Sequence, residues 1–149
     1  MISRFEEFMT SLNDINLYWY RIASSEMKKF GLKGNCAIYF IKLYNLEEGA
    51  TAARLCELCG KNKANVSREI KRLQELGLVK REITDKRGYR APITLTKEGK
   101  ELAESINEKV NYVLEAIDQV LTKEESDSFR SSFKKISQAV KKLSVDGLS

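Results

Sequence analysis

A run of polar and basic residues near the middle of the chain carries side chains that can hydrogen-bond to nucleic acid. Six of them fall within ten positions, namely Lys63, Asn65, Ser67, Arg68, Lys71 and Arg72. Asn and Arg side chains form paired hydrogen bonds with the edges of adenine and guanine in the major groove, and Lys and Ser hold phosphates. These residue types therefore predict contacts with double-stranded DNA.

A second basic group lies at residues 86–90, where Lys86, Arg87, Tyr89 and Arg90 surround Gly88. Because glycine permits a turn with positive φ, this group is predicted to form the tip of a β-hairpin. A projecting basic loop can enter the minor groove, where narrow A·T tracts attract arginine. Arg87, Tyr89 and Arg90 are therefore predicted DNA contacts. The alternative is an exposed turn whose charges only keep it soluble.

The charge of the chain is concentrated in this middle part. Residues 60–100 hold twelve basic and five acidic residues, a net charge of +7, whereas the whole chain of 149 residues carries +5. The remaining residues therefore carry −2. Such a concentration is typical of nucleic-acid binding, and a solvated basic face is the alternative that charge alone leaves open.

The elements that position these residues can be predicted from apolar spacing. Thr51 is predicted to cap a short helix from Ala52 to Cys59, which Gly60 closes, and a second helix follows from Lys63 to Leu76. Apolar residues at 66, 70 and 73 form the stripe of the second helix that faces the core. Two short helices joined by a tight turn are a helix-turn-helix, with the polar residues on the outer face.

The flanking elements are predicted in the same way. Residues 78–84 and 92–96 are predicted as the strands of the hairpin. Asn35 is predicted to cap the helix that precedes the helix-turn-helix, Thr96 to cap a long helix after the hairpin, and Thr122 with Glu125 to form the capping box of a last helix.

Both ends of the chain carry apolar seams at heptad spacing. The first helix, predicted to end at Gly31, carries Phe5, Phe8, Leu12, Ile15, Trp19 and Ile22, and the last carries Phe129, Phe133, Ile136, Val140 and Leu143. A long helix with such a seam must bury it. A helical homodimer is the predicted solution, and packing of the two ends on each other within one chain is the alternative.

The predicted fold class is mainly α with a small β-hairpin. A winged helix-turn-helix lobe over residues 35–100 would be flanked by dimerisation helices at 1–34 and 101–149, all within a single domain.

Three sequence patterns resemble the MarR family of winged helix-turn-helix transcriptional regulators. They are V-S-R-x-I-x-x-L-x-x-x-G-L-V over Val66–Val79, Asp85-x-Arg87, and Leu95-Thr96-x-x-Gly99. The resemblance implies that the terminal helices form the dimer interface, that Asn65, Ser67, Arg68 and Lys71 contact the major groove, and that Arg87 reaches the minor groove. The wing departs from the family pattern at residues 88–92, where it is bulkier.

The resemblance also implies regulation, most commonly repression, that is released by a signal. One implied signal is a small phenolic or other amphipathic effector, for which Tyr18, Trp19, Arg21 and Tyr39 are candidate lining residues. Aromatic residues at helical spacing are also typical of a core. The other implied signal is an oxidant, for which Cys56 and Cys59 form a C-x-x-C pair, although free cysteine often behaves as a small buried hydrophobe.

No catalytic, metal or cofactor site is predicted. The chain has no histidine, which excludes Ser-His and Cys-His arrangements, and a lone C-x-x-C is at most half a zinc site. No apolar run is long enough to span a bilayer and the N-terminus lacks the apolar region of a signal peptide, so a cytoplasmic location is expected.

The sequence thus predicts a dimeric DNA-binding transcriptional regulator, of repressor type, that recognises a pseudo-palindromic duplex site. The alternative function is a winged-helix protein–protein interaction module whose basic face docks on an acidic partner. A docking helix more often exposes apolar anchors at i, i+3, i+4 and i+7, whereas the exposed face here is polar and basic.

Overall fold

The computed structural model describes residues 2–82 and 91–146, without the side chains of Ile2 and Asp146. Its helices and strands, in chain order, are α1 (Ile2–Met27), α2 (Ala37–Tyr44), α3 (Ala52–Cys59), α4 (Lys63–Glu75), β1 (Val79–Arg81), β2 (Ile93–Leu95), α5 (Lys97–Asp118) and α6 (Lys123–Asp146). Two short 3-10 turns, Lys28–Phe30 and Gly34–Cys36, separate α1 from α2. The predicted fold class, mainly α with a small β-hairpin, is confirmed.

Three helices, α3, α5 and α6, begin where the sequence predicts side-chain caps. Thr51 Oγ1 accepts a hydrogen bond from the backbone N–H of Arg54 (3.2 Å), and Thr96 Oγ1 accepts one from Gly99 (3.1 Å). The predicted capping box of α6 is complete, because Thr122 Oγ1 and the Glu125 carboxylate each accept from the other residue's backbone N–H. Each cap satisfies a backbone donor that the helix itself leaves unpaired.

The start of α2 differs from the prediction that Asn35 caps it. The backbone N–H of Cys36 donates to the carbonyl of Lys33 (3.0 Å), which tightens Gly34–Cys36 into a 3-10 turn. Asn35 therefore lies inside that turn rather than in the extended conformation of an N-cap. The helix begins at Ala37 and has no side-chain cap, so the predicted cap at Asn35 is wrong.

The core of the helix-turn-helix lobe is formed by one face of each of its helices. Its fully buried side chains include Tyr39 and Phe40 of α2, Leu55 of α3, Val66, Ile70 and Leu73 of α4, and Ile93 of β2. The predicted α4 stripe is thereby confirmed. Because this stripe turns inward, the polar residues between its members remain outside.

The hairpin pairs in antiparallel register, with Val79 opposite Leu95 and Arg81 opposite Ile93. It is shorter than the predicted strands, of which residues 83 and 84 lie outside the described residues. Ala50 adds a bridge that the sequence did not predict: its N–H donates to the Ile93 carbonyl (3.0 Å), and the Ile93 N–H donates back (2.8 Å). This bridge attaches the base of the hairpin to the start of the helix-turn-helix.

A buried carboxylate on α1 contacts two residues of α5. Glu26 is 4% exposed and accepts hydrogen bonds from Lys109 Nζ (2.6 Å), Lys29 Nζ (2.8 Å) and Ser105 Oγ (2.8 Å). The hydrogen bond from Lys109, helped by that from Lys29, lowers the pKa of Glu26 from 4.5 to about 2, against the opposing effect of burial. The carboxylate is therefore charged and paired at neutral pH.

Two compact units make up the chain, Met1–Lys109 and Val110–Ser149, with the boundary inside α5. The first holds α1, the helix-turn-helix lobe, the hairpin and the start of α5, and the second holds the end of α5 and α6. Within the second unit the rings of Phe129 and Phe133 stack with their centroids 5.3 Å apart. The predicted single domain stays a prediction.

Across residues 2–82 and 91–146, no helix combines the length and the apolar character that a membrane crossing requires.

Candidate nucleic-acid interface

The polar face of α4 is presented to solvent by a helix that is anchored at its start. Asn62 Oδ1 accepts from the backbone N–H of Asn65 (2.8 Å), which fixes the N-terminus of α4. Of the six predicted contacts on this helix, Asn65 is half-buried and the other five are exposed, namely Lys63, Ser67, Arg68, Lys71 and Arg72. The structure therefore brings all six to the surface of one helix.

Asn65 and Arg68 are paired on this surface. A guanidinium nitrogen of Arg68 donates to Asn65 Oδ1, so that both side chains lie together one helical turn apart. The Asn65 amide keeps its NH2 donors, and the Arg68 guanidinium keeps further N–H groups. The pair can thus offer several donors to acceptors on a base edge or a phosphate.

Arg72 is engaged differently from the other basic residues of α4. Its Nη2 donates to the backbone carbonyl oxygen of Gly31 at 2.6 Å, and Gly31 lies just after α1. Nearby, Cys36 Sγ donates to the carboxylate of Glu69 at 3.2 Å, so a second α4 side chain contacts the same connecting segment. Sequence reasoning missed both contacts, because they join residues 41 and 33 positions apart and no short motif encodes them.

The predicted contacts in the hairpin tip, Arg87, Tyr89 and Arg90, lie outside the described residues. The described base of the hairpin is itself polar, with an exposed Lys80 whose Nζ lies 3.3 Å from the Glu82 carboxylate. The contact of the tip with DNA stays a prediction.

The four candidate effector residues fall into different environments. Tyr18 is exposed and carries the Arg21 guanidinium over its ring, 5.4 Å from the centroid, whereas Trp19 is half-buried. Tyr39 is completely buried in the lobe, and its hydroxyl has no hydrogen-bond partner among the described residues. The predicted effector site at these residues stays a prediction.

None of these four residues lines either of two cavities in the chain. A groove of about 580 Å³ lies between the end of α2, the hairpin and α5, beside Tyr44, Thr94 and Lys100. A smaller one, of about 400 Å³, lies around the turn from α5 to α6 beside Leu121.

The three cysteines are free thiols. Cys36 is buried, and this burial together with the neighbouring Glu69 carboxylate raises its thiol pKa to about 11. Burial likewise raises the pKa of the Cys59 thiol, and Cys56 is half-buried. Because the thiolate is the reactive form, raised pKa values disfavour oxidation. In the part of the chain that the structure describes, no cluster of three or more Cys, Asp or Glu side chains could hold a metal ion.

Residues 30–88 match the sequence model of the MarR family. No curated protein sequence matches the chain significantly.

Solved structures share the fold at low sequence identity. A MarR family transcription regulator has 14% identity and a TM-score of 0.78 over 98% of this chain and 96% of its own. S. aureus MepR in its complex with DNA has 17% identity and a TM-score of 0.76 over 89% of this chain and 97% of its own. A MarR transcriptional regulator from Methanosarcina mazei Go1 has 18% identity and a TM-score of 0.73 over 91% of this chain and 98% of its own.

The capped helix pair and the hairpin that follows it define a winged helix-turn-helix protein. Within that class, the resemblance to the MarR family is confirmed: residues 30–88 carry the family's sequence pattern, and the chain has the fold of MarR transcriptional regulators.

Proposed function

We propose that the protein is a MarR-type transcriptional regulator that binds double-stranded DNA through α4. The observation that carries the proposal is the outer face of α4, where Lys63, Asn65, Ser67, Arg68 and Lys71 project from a helix whose opposite face is buried in the lobe. Such a helix can enter the major groove with hydrogen-bond donors toward the bases and cations toward the phosphates. The similarity to the MepR fold seen in complex with DNA supports the same role.

The hairpin tip completes the proposed interface. Arg87, Tyr89 and Arg90 precede β2, whose first residue, Ile93, is held by the Ala50 bridge, and a basic tip there would reach the neighbouring minor groove. In this arrangement α4 reads the sequence and the tip adds affinity through arginine. Asp85 would orient Arg87 rather than touch DNA.

A homodimer is part of the proposal. Large apolar side chains are exposed on α1, where Phe5 is 65% and Ile15 is 63% exposed, and on α6, where Phe129 and Val140 are more than half exposed. Apolar surface at this spacing on long helices is typical of a helical interface. A two-fold dimer would present two α4 helices to successive major grooves of a pseudo-palindromic site.

We further propose that the protein acts as a repressor and that a small amphipathic molecule releases it. Of the two implied signals, the small molecule is favoured over an oxidant because burial raises the pKa of Cys59, one of the two candidate cysteines, and so lowers its thiolate fraction at neutral pH. Tyr18 and Arg21, which lie together on the exposed surface of α1, are the pair best suited to an aromatic anion.

The salt dependence of binding tests the electrostatic part of this function. Affinity for a 30-base-pair duplex, measured by fluorescence anisotropy at several salt concentrations, should fall with a log–log slope of several units, because each neutralised phosphate contributes about 0.9 to the slope. Lys71→Met should lower the slope by about one unit per protomer, whereas Lys141→Met, an exposed lysine on α6, should leave it unchanged. Binding that does not respond to salt would contradict the proposal and favour a protein-docking module.

A further inference from the structure

The connecting segment between α1 and α2, residues 31–36, is fixed against α1. The N–H of Leu32 donates to the carbonyl of Met27, the last residue of α1, at 3.0 Å. Gly34 packs so closely on α1 that a methyl group there would overlap Ser24 Oγ and lie 2.9 Å from the Tyr20 carbonyl oxygen. Because backbone and a buried hydroxyl line this contact, the segment has little freedom to shift along α1.

The same segment is tied to α4 by two hydrogen bonds. Arg72 Nη2 donates to the Gly31 carbonyl oxygen at 2.6 Å, and Cys36 Sγ donates to the Glu69 carboxylate at 3.2 Å. Glu69 and Arg72 are three positions apart and therefore leave α4 on the same side. The two hydrogen bonds are made at the first and last residues of the segment, Gly31 and Cys36. Because they lie at opposite ends, each resists rotation of α4 about the other.

We propose that Arg72 is a positioning residue that, together with Glu69, sets the orientation of α4 relative to α1 through residues 31–36. This inference rests on the proposed function, in which α1 contributes to the dimer interface and α4 reads DNA. In a two-fold dimer, the angle between α1 and α4 fixes the distance between the two recognition helices. That distance must match the helical repeat of the duplex, so a change in angle weakens binding to a two-half-site duplex.

The alternative role of Arg72, a direct phosphate contact, predicts a different dependence on salt and sequence. A lost phosphate contact weakens binding to every duplex about equally and lowers the salt slope by about one unit. A lost positioning contact weakens binding to the matched two-half-site duplex and leaves the number of neutralised phosphates unchanged. The two roles are therefore separable by measurement.

The test uses the whole 149-residue chain and two duplexes of equal length and base composition. One is the tightest duplex that the wild-type protein selects from a random library, and the other is a scrambled version of it. Affinity for each is measured across a range of salt concentrations for wild type, Arg72→Met and Lys71→Met. Lys71, the neighbouring exposed lysine, is the matched control for loss of a single positive charge on α4.

Arg72→Met is expected to bind the selected duplex roughly tenfold more weakly, since one hydrogen bond from a charged donor is lost, with the scrambled-duplex affinity and both salt slopes unchanged. Lys71→Met is expected to lower the affinity for both duplexes and both salt slopes. The inference is overturned, while the proposed function stands, if Arg72→Met lowers the same affinities and slopes as Lys71→Met does, or if it binds the selected duplex as tightly as wild type. A wild-type protein that does not distinguish the two duplexes overturns the proposed function as well.

A second variant removes the other of the two hydrogen bonds that join residues 31–36 to α4. Cys36→Ala removes the thiol donor to Glu69 without changing the charge of the proposed interface at neutral pH. It is expected to weaken binding to the selected duplex about threefold at an unchanged salt slope. If Arg72→Met does not fold, Cys36→Ala tests the positioning role in its place. A Cys36→Ala affinity for the selected duplex equal to that of wild type contradicts that role.

Discussion

The buried carboxylate of Glu26 should make a measurable and pH-dependent contribution to stability. Glu26 is a residue of α1 that faces α5, and its carboxylate accepts hydrogen bonds from Lys109, Lys29 and Ser105. Replacement by Gln keeps the shape of the side chain and one oxygen acceptor but removes the negative charge. Two lysines then lose their partner at a site where the carboxylate is only 4% exposed.

The magnitude follows from the pKa of Glu26, which is about 2 in the folded protein against an ordinary value of 4.5. Because the folded-state pKa is the lower one, the charged pair stabilises the fold fully above pH about 4.5, and this stabilisation is lost as the pH falls toward 2. A difference of this size corresponds to up to about 3 kcal/mol at pH 7, and to about 1 kcal/mol at pH 3, where only the unfolded chain has largely taken up the proton.

Urea unfolding of wild type and Glu26→Gln at pH 7 and pH 3 measures this contribution. The variant should be less stable by up to about 3 kcal/mol at pH 7, and the difference should shrink by about 2 kcal/mol at pH 3. Glu57→Gln is the matched control, since Glu57 also accepts from a cation three positions away, at 2.8 Å, but on the exposed surface, where pairs contribute less than about 1 kcal/mol. A Glu26→Gln difference that is the same at both pH values would refute the reasoning.

Three further predictions concern packing, reactivity and recognition. A methyl group at Gly99 would overlap the carbonyl oxygen of Leu78, so Gly99→Ala should lower the free energy of unfolding by about 2 kcal/mol, whereas Glu101→Ala on the exposed side of α5 should change it by less than about 0.5 kcal/mol. The raised pKa of Cys36 should make its alkylation by iodoacetamide at pH 7.5 at least about a hundredfold slower in the folded protein than in guanidinium, as mass spectrometry of the labelled peptide would report, and equal rates would contradict its burial. Asn65→Ala should change the preferred bases in a binding selection while leaving the salt slope unchanged, and a selected sequence identical to that of wild type would remove Asn65 from the set of base contacts.

Local features of the fold were predictable because each depends on a few neighbouring residues. The caps at Thr51, Thr96 and Thr122 need only a side-chain oxygen and a backbone N–H three positions on, and all three form. The buried stripe of α4 follows from apolar spacing in the same way. The predicted cap at Asn35 failed because tight packing of residues 34–36 against α1, which the local sequence does not reveal, imposed a 3-10 turn there.

The contacts that position the elements were not predictable, since each joins distant parts of the chain. Glu26 meets Ser105 across 79 positions, and Arg72 meets Gly31 across 41. Nothing near Glu26 in the sequence distinguishes it from an exposed glutamate. Its role depends on the packing of α1 against α5, which brings Lys109 and Ser105 to one carboxylate.

The residue types of the candidate interface were predictable, but the hydrogen bonds that its side chains form were not. The types and spacing of residues 63–72 identified the outer face of α4 correctly. They could not show that Arg72 donates to Gly31 while Lys71 stays exposed, because adjacent basic residues look alike in sequence. The difference arises from the position of residues 31–36, which only tertiary packing determines.

Selection of bound sequences from a library of random duplexes tests the central claim most directly. If the protein is a dimeric DNA-binding regulator, the selected sequences should converge on a two-fold symmetric consensus whose half-sites lie about one helical turn apart, 10–10.5 base pairs between centres. Base preference should be strongest in the half-sites that α4 would contact. Recovery of sequences with no shared consensus would contradict sequence-specific recognition, and a single unrepeated half-site would contradict the dimer.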